Sequence, residues 1–585
     1  MASTTALFTG LTGLNANARN LDVIGNNIAN GNTVAFKSAR ANFETMFSRT
    51  FNAGTPPGDT VGGTNPFQIG YGVRVSGTQK NFATGTISPT GDLRDLAIDG
   101  DGFFVVNRGT QPFYTRAGNF RPDAEQYLAT PSGERLQGYG IDENFNIVPG
   151  RLGDMRIPLG TLTIAEATQN VRFRGNLDAS GSIPSQGSNV NLLGTQTDGL
   201  RAIAAAAPAP APGNLIEGTT RLVDIEDPEL VGSGTPMFLD GQSIELRNIE
   251  KGGRTLPTAI FPITTTSTLD DLMTFMRETI GINGTTGANP DGNTPGVTLD
   301  PTTGVVSITG NTGTVNDIAI DSSDMRLLNA SGQVVRQPFV PQKTAAADGE
   351  SVRTTFIVYD SLGTPVEVDL AMTLEGKSNA GTTWRYTIES ADATGPDLAI
   401  TTGVLAFDTE GQLDTTVPIA ISIDRSDTGA DSPLGFSLSF AEGDDTVTAL
   451  TDETSSVAAT YRDGAPIGTL SGFGIGIDGF ITGTFSNGLT RTIGQVALAT
   501  FPNNEGLVDQ GGNLFGVGAN SGSPIVTTPT VLGAGRTIGG ALELSNVDLG
   551  EEFIKMILAS TGYSASSRVI RTADELMQQL LVLGR

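Results

Sequence analysis

Each end of this chain carries a hydrophobic pattern that is typical of a long helix packed against another helix. Residues 545–585 contain no proline, and Ser545 with Asp548 forms a capping-box pattern at the start. Apolar or small residues then recur at intervals of three and four, at Ile554, Leu558, Thr561, Ala565, Val569, Ala573, Leu576, Leu580 and Leu583. This spacing predicts a heptad seam with a stutter, where the helix should locally unwind.

The first thirty residues carry a second seam with a strict period of 3.5 residues. Its positions are Leu7, Leu14, Leu21 and Ile28, seven apart, with Leu11, Ala18 and Gly25 between them. We therefore expect the terminal helices to pair as a coiled coil, with the other domains nested between them. The stripes alone leave open the alternative that each helix only covers a local core.

Asparagine weakens the first of these helices, because seven asparagines lie between residues 15 and 32 and asparagine is a poor helix former. An isolated helix of this kind is marginal in water. We expect it to be disordered in a free subunit and to order when neighbouring subunits bury it. The candidate self-assembly seam comprises Leu7, Leu11, Leu14, Leu21, Ile28, Ile554, Leu558, Val569, Ala573, Leu576, Leu580 and Leu583.

The composition between the two ends indicates a mainly β, multidomain protein. The 585 residues include 76 glycines, only 17% are charged, and short β-branched runs alternate with turn residues. The chain has no cysteine and no histidine, which excludes disulfides, thiolate or imidazole metal sites and histidine-based catalysis. We expect neither enzymatic activity nor a cofactor or metal.

Charge and hydropathy limit the partners that this chain can have. The net charge of −27 argues against nucleic acid, because contacts to phosphates require basic patches. The first residues lack a basic region followed by a long apolar core, so we expect no cleavable signal peptide. We also expect no membrane insertion, because there is no run of about 18 apolar residues.

Motifs at both ends resemble one known family. The stretch GLNANARNLDVIGNNIANGNTVAFKS, residues 13–38, resembles the N-terminal signature of the flagellar rod and hook family of axial proteins. The phrases SNVDLGEEF and GYSASSRVIRTADEL near the C-terminus resemble the C-terminal signature of the same family, and LAIDGDGFFVV resembles its first β domain. One departure is Ala35, where the family usually has glycine, because alanine tolerates a left-handed backbone poorly.

The resemblance implies a structural subunit that assembles into a curved, flexible tube joining the flagellar motor's rod to its filament. It implies terminal helices that line the inner tube and β domains that stack outward. The implied partners are other copies of the chain, the distal rod, hook cap and hook–filament junction proteins, and the flagellar export apparatus, with the tube outside the cell. A distal rod protein and a secreted β-rich adhesin or enzyme remain as alternatives.

The resemblance and the composition together predict a nested order of segments. Its central element is an inserted α+β domain, residues 181–344, which matches nothing recognisable. The other segments are a first helix (1–35), an extended connector (36–70) anchored by Phe36, Phe43 and Phe47, a first β domain (71–149 and 455–540), a second β domain (150–180 and 345–454) and a last helix (541–585).

The insertion is predicted to hold a stiff linker at 204–212 and a helix at 268–280. Ser267 is the expected cap of this helix, and its apolar face is Leu269, Leu272, Met273 and Met276.

Several polar motifs elsewhere have a simpler structural explanation than a functional one. Asp99 and Asp101 resemble the opening of a calcium loop, but the twelfth position is Thr110 rather than glutamate, so a tight turn is favoured. The glycines of residues 472–479 imitate a nucleotide-binding loop, but no helix pattern follows them. The neighbouring Asp444 and Asp445 are expected in a loop, and Trp384, the sole tryptophan, is expected in a core.

Overall fold

A computed structural model describes residues 2–203, 216–414, 417–451 and 453–583. The expected linker at 204–212 lies outside the described residues. The chain divides into two compact units: unit 1 holds residues 1–163 and 469–585, and unit 2 holds residues 164–468. The described chain is mainly β, with the α-helices α1 (Ala2–Ala29), α2 (Leu269–Ile280) and α3 (Leu549–Leu583). Short 3-10 helices occupy Leu222–Asp224, Gly284–Thr286, Thr314–Asn316, Ser322–Asp324 and Asn504–Gly506.

Unit 1 is built of antiparallel strands from both halves of the chain. Its hydrophobic core includes the rings of Phe103, Tyr114, Phe501 and Phe515, which pack largely edge to face. Its strands are Ala39–Thr45, Ser48–Asn52, Phe67–Gly70, Val73–Lys80, Ile87–Pro89, Leu96–Asp99, Phe103–Arg108, Gln111–Thr115, Arg121–Pro122, Leu128–Ala129, Arg135–Ile141, Ile147–Asp154, Phe480–Phe485, Thr490–Val496, Leu498–Thr500, Val508–Asp509, Leu514–Gly516, Ile525–Thr527, Arg536–Gly539 and Ala541–Glu543.

The late strands of unit 1 return the chain to its beginning. Arg536–Gly539 pairs with Leu96–Asp99, and Ala541–Glu543 pairs with Ile87–Pro89. Because α3 starts only a few residues later, these two ladders fix where the C-terminal helix begins.

The boundary of the first β domain differs from the expected one at residue 149. Ile147–Asp154 was expected to open the second domain, but it pairs with Arg135–Ile141 inside unit 1. Unit 1 therefore continues to residue 163 and resumes at 469 rather than 455. Two strands, Thr163–Glu166 and Ala465–Ile475, run through these boundaries.

The segment 36–70 is paired and is not the free extended connector that its glycine, proline and threonine content suggested. Ala39–Thr45 pairs with Val73–Lys80, and Ser48–Asn52 pairs with Phe67–Gly70, all antiparallel. The two ladders form one long hairpin. The pairing has a physical cause: Val73–Lys80 satisfies the backbone groups of Ala39–Thr45, and Ser48–Asn52 and Phe67–Gly70 satisfy those of each other.

Unit 2 contains two hydrophobic cores. One is built mainly from residues 190–339 of the sequence. The other surrounds Trp384, Phe173 and Phe440. The strands are Asn170–Asn176, Gly187–Leu193, Ser243–Leu246, Glu250–Lys251, Arg254–Thr255, Ala259–Pro262, Gly296–Asp300, Val305–Thr312, Ile318–Ala319, Met325–Leu328, Val334–Arg336, Val340–Ala345, Ser351–Tyr359, Pro365–Ser378, Gly381–Glu389, Ala399–Phe407, Ile419–Ile423, Leu434–Ser439, Ala441–Glu442, Asp445–Thr448 and Ser456–Arg462.

Helix α2 confirms its predicted apolar face, because Leu269, Leu272, Met273 and Met276 are all buried. The predicted cap was wrong by one residue. Thr268, not Ser267, caps α2: its side chain accepts from Asp271 N while the Asp271 carboxylate accepts from Thr268 N. Ser267 instead bonds to Thr264 in the preceding turn.

A buried lysine joins the two cores of unit 2. Lys251 Nζ donates to Glu389 Oε1 at 2.5 Å, to Gly281 O at 2.7 Å and to Ile280 O at 3.3 Å, so each ammonium hydrogen has an acceptor. The two carbonyls end α2, where the helix dipole favours a cation. Arg353 Nη1 donates to Lys251 O at 3.0 Å from the second core. This cluster ties the inserted region to the β domain behind it.

Candidate self-assembly surface

The terminal helices α1 and α3 pack against each other antiparallel. Residue numbers increase along α1 while those of the contacting residues in α3 decrease. Gly10 lies beside Ile570, Asn17 lies beside Gly562, and Asn27 donates a hydrogen bond to Glu552. The contact uses small residues. A Cβ on Gly10 would lie 2.8 Å from Ile570 Cγ1, and one on Gly562 would lie 2.9 Å from Asn17 Oδ1. Small side chains at these positions allow the two backbones to approach closely.

The leucine seam predicted for α1 is only partly covered in the subunit. Leu7, Leu14, Leu21 and Ile28 are only partly buried, and Leu11 is exposed. The buried residues of α1 are Gly10, Ala16, Ile24 and Asn27. A pattern of large apolar residues misses such an interface, because glycine and asparagine carry no hydrophobic signal.

The seam predicted for α3 mostly faces away from α1. Ile554 and Leu558 are 61% and 65% exposed, and Val569 and Leu576 are also exposed, whereas Ala573 is buried. The side chains of Leu580 and Leu583 lie outside the described residues. The prediction that these residues pair with the first helix of the same subunit was wrong.

Two opposite faces of α3 result from this arrangement. The buried positions Glu552, Ala559 and Ala573 share one line of heptad spacing toward α1. Ile557, which is 63% exposed, lies about 160° around the helix from Ala559 at 3.6 residues per turn. We call the large exposed residues of α3 the α3 stripe: Phe553, Ile554 and Ile557, which lie opposite the buried line, together with Leu558, Val569, Leu576 and Leu581, which lie within about 100° of it.

Helix α3 starts later than the sequence pattern predicted. It begins at Leu549, and Asp548 is the cap, with Oδ1 accepting from Gly550 N at 2.8 Å and from Glu551 N at 3.1 Å. Ser545 Oγ only accepts from Val547 N, in the turn before the helix. The expected capping box at Ser545 is therefore wrong.

Asn27 ties three segments of unit 1 together. Its Nδ2 donates to Ala39 O at 2.7 Å and to Glu552 Oε2 at 3.1 Å, and its Oδ1 accepts from Ala39 N at 2.9 Å. The side chain is almost fully buried. One of the asparagines that weaken α1 as an isolated helix therefore anchors it to the hairpin and to α3.

Buried charges fix the place where the two ends of the chain meet. Lys37 Nζ donates to Glu543 Oε1 at 2.6 Å and to Ala83 O at 2.7 Å, and Gly85 N donates to the same glutamate oxygen at 2.8 Å. Arg116 Nη1 lies 3.4 Å from Glu543 Oε2. Burial lowers the pKa of the Lys37 ammonium, and the charge of Glu543 opposes that shift. Sequence reasoning missed this cluster, because 506 residues separate Lys37 from its glutamate.

Ala35 has the left-handed conformation, with φ of 56°, and is buried. Its N–H donates to Glu543 O at 2.8 Å. The alanine therefore holds a left-handed turn at a steric cost of about 1–2 kcal/mol.

The tip of the hairpin, residues 48–70, which we call the arm, has one apolar face and one polar face. Phe51 and Phe67 pack with ring centroids 5.3 Å apart, and the Arg49 guanidinium lies 4.8 Å from the centre of the Phe51 ring. On the other face Gln68 Nε2 donates to Thr50 Oγ1 at 2.9 Å. Every residue of both arm strands is exposed.

Only one of the three expected connector anchors is inside the subunit. Phe36 is buried, but Phe43 and Phe47 are 45% and 77% exposed. A two-stranded ribbon is marginally stable by itself in water. The exposed aromatic residues of the hairpin thus form a second apolar surface on unit 1 besides the α3 stripe.

The polar motifs occupy turns and hairpins. Asp99 pairs with Arg536 at 2.7 Å, and Gly100 and Gly102 have positive φ in the tight connection that follows. Residues 472–479 form a hairpin, and Asp445 opens a short strand after the turn at Asp444. Trp384 is fully buried, as expected.

The described residues offer neither a metal-binding cluster nor a membrane-spanning helix. Among the described residues, acidic side chains do not gather into a group of three or more that could hold a metal ion. None of the described helices is both long and apolar enough to cross a membrane.

Family models match four segments of the chain. The model described as Flagella basal body rod protein matches residues 7–37, and Flagellar hook protein FlgE/F/G D1 domain matches residues 97–176. Flagellar basal body protein FlaE D2 domain matches residues 327–465, and Flagellar basal body rod FlgEFG protein C-terminal matches residues 538–583. Most of the inserted region lies between the second and third matches.

Relatives that align over almost their whole length are named flagellar hook proteins. The chain is 27% identical to proteins named Flagellar hook protein FlgE from Borreliella burgdorferi and from Treponema pallidum, over 99% of both chains in each case. It is 26% identical to the Escherichia coli protein of that name, over 98% of both chains. The crystal structure of Helicobacter pylori flagellar hook protein FlgE2 matches 78% of this chain and 100% of its own, with 18% identity and a TM-score of 0.36. The chain belongs to the flagellar rod and hook family of axial proteins.

Proposed function

We propose that this chain is the structural subunit of a bacterial flagellar hook, and that it polymerises through apolar surfaces of unit 1 left uncovered in the single subunit. The observation that carries the proposal is the α3 stripe. Its large apolar residues are exposed, so the subunit itself leaves them in water. Full-length relatives named as hook proteins support the same role.

The α3 stripe and the arm give the subunit two different exposed apolar surfaces. Burying a large aliphatic or aromatic side chain contributes about 1.5–3 kcal/mol. A contact between two different surfaces repeats from copy to copy without closing when the rotation between copies does not return to the start. Such contacts generate a helical polymer, as a tubular hook requires.

Electron microscopy and sedimentation of the full-length protein test the proposal. Ile557→Asp places a charge in the middle of the α3 stripe, and we expect it to raise the critical concentration for polymerisation at least about tenfold, which corresponds to about 1.4 kcal/mol. Ser132→Asp is the control, since it adds the same charge at an exposed polar turn position of unit 1 outside α3. Equal polymerisation of the two variants would contradict the role of the stripe.

The shape of the polymer separates the hook from its nearest alternative. A hook subunit forms curved tubes, whereas straight and rigid tubes would favour a distal rod protein. The distal rod, the hook cap, the hook–filament junction and the export apparatus are the further partners that this role assigns. They would meet the polymer at its ends or carry its subunits to the outside of the cell.

The adhesin or enzyme alternative lacks a comparable observation. It requires polar groups that converge on a ligand, whereas the buried ammonium groups of Lys37 and Lys251 donate to carboxylate and carbonyl oxygens of neighbouring chain segments. We therefore assign no catalytic role and no cofactor to this chain.

A further inference from the structure

Two strands of unit 2 lie side by side without backbone hydrogen bonds between them. Ser351–Tyr359 pairs with Pro365–Ser378, and Ser456–Arg462 pairs with Asn170–Asn176, and the described chain shows no further ladder on either strand. Side chains tie the two strands at both ends. Ser455 Oγ donates to Glu350 Oε1 at 2.7 Å, and Arg462 Nη2 donates to the Tyr359 hydroxyl at 3.3 Å.

A cleft of about 380 Å³ opens between these ties, and we call it the edge cleft. Val171 and Phe356, which are nearly buried, form its apolar floor. Ile357 and Tyr461 stand on its walls and are 41% and 44% exposed. The cleft therefore combines two strand edges with an apolar base.

Arginine and tyrosine alternate along the rim. The Arg172 guanidinium lies 4.6 Å from the centre of the Tyr461 ring, and the Arg462 guanidinium lies 5.1 Å from that of Tyr359. Arg172 also pairs with Glu442 at 2.6 Å. Within the described residues, Arg462 has no carboxylate within ion-pair distance.

These features match a known way of binding extended peptides. A strand edge supplies backbone hydrogen bonds to an added strand, and pockets beside the edge receive alternate side chains. Tyrosine and arginine are the residues that most often dominate the energy of a protein interface. Because the floor is apolar and the rim carries a guanidinium without a carboxylate partner, the edge cleft suits an extended segment with apolar and acidic side chains.

We propose that the edge cleft binds an extended acidic segment of a second copy of this chain, which adds to one of the two free strand edges. Charge complementarity selects this occupant. The chain has 62 acidic and 35 basic residues, so any neighbour of its own kind presents a predominantly acidic surface to the arginines of the rim. The proposal rests on the polymer described under Proposed function and adds a specific contact to it, in unit 2.

Hydrogen exchange of the full-length protein before and after polymerisation tests the contact. The amides of 351–359 and 456–462 that face the cleft should gain protection in the polymer, because an added strand would bond to them. Unchanged exchange of both strands in a well-formed polymer would overturn the proposal.

Two variants test the side chains of the rim. Arg462→Glu should raise the critical concentration about tenfold at low salt, with a smaller effect at high salt where charges are screened. Tyr461→Ala should weaken assembly at both salt concentrations, and Tyr461→Phe should assemble like the wild type. Arg151→Glu is the control, because Arg151 is an exposed arginine of unit 1.

The outcomes separate the two proposals. A wild-type chain that forms no polymer overturns both. Polymerisation of the Arg462 and Tyr461 variants at the wild-type concentration, equal to that of the Arg151 control, overturns only the edge cleft. Fluorescence of Trp384, which is buried in the same unit as Arg462 and Tyr461, verifies that the variants at these two positions remain folded.

Discussion

Replacing Lys37 by methionine should loosen the joint between the two ends of the chain. The substitution keeps a long apolar stem but removes the ammonium that donates to Glu543 Oε1 and to Ala83 O. The side chains of Lys37 and Glu543 are fully buried, so water cannot replace the lost partner. The variant therefore leaves a buried carboxylate that has lost its closest cation.

The structure sets the size of the effect. Removing one partner of a buried ion pair costs about 3–5 kcal/mol, because the remaining charge stays desolvated. Glu543 keeps the hydrogen bond from Gly85 N and the 3.4 Å contact with Arg116. We therefore expect the lower end of this range, about 3 kcal/mol, in the free energy of opening unit 1 around the joint.

Hydrogen exchange measures this opening locally, which suits a chain with two units that need not unfold together. Amides in residues 35–39 and 541–546 should exchange faster in Lys37→Met, whereas the fluorescence unfolding of Trp384 in unit 2 should not change. Lys80→Met is the control, because the Lys80–Asp509 pair is partly exposed and surface pairs contribute at most about 1 kcal/mol. If Lys37→Met and Lys80→Met open equally, the buried pair does not hold the joint.

Four further substitutions test other contacts. Gly10→Val should separate α1 from α3 and speed amide exchange in both helices, whereas Gly25→Ala, whose Cβ would meet no atom within 4 Å, should stabilise α1 by about 0.5–1 kcal/mol. Lys251→Met leaves Glu389 buried without its ammonium and should lower the stability of unit 2 by about 3 kcal/mol in Trp384 fluorescence unfolding. Hydrogen bonds from the neighbouring arginine lower the pKa of Asp92 to about 2, so its contribution is complete above pH 3.8 and disappears as the pH falls toward 2. The free energy of unfolding of unit 1 should therefore differ between the wild type and Asp92→Asn at pH 6 but not below pH 2.

Heptad spacing located both terminal helices and found the exposed apolar residues of α3, but it assigned them the wrong partner. Large apolar residues mark a surface that needs covering without saying which chain covers it. The actual contact of α3 with α1 uses Gly10 and Gly562, whose value lies in the side chain they lack. The spacing of hydrophobic residues does not indicate where two helix backbones approach closely. This interface was therefore not predictable from the pattern.

The buried charges could not be predicted for a different reason. Lys37 and Glu543, or Lys251 and Glu389, are far apart in the sequence, and each looks like one of many solvated surface charges. Their burial depends on ladders such as Ala541–Glu543 with Ile87–Pro89, which bring the end of the chain back to the first domain. The family signature at residues 13–38 includes Lys37 but does not reveal its partner.

The sequence by itself determined the mainly β character, the two terminal helices, the apolar face of α2 and the family. These properties depend on local periodicity, composition and short motifs, which each segment carries with it. The tertiary structure alone decided that the strands of 36–70 are paired in a hairpin that extends to residue 80, that α1 and α3 meet through small residues, and which residues of α3 remain in water. These properties depend on long-range pairing and on the packing of atoms at close distance, and neither is encoded in the pattern of any one segment.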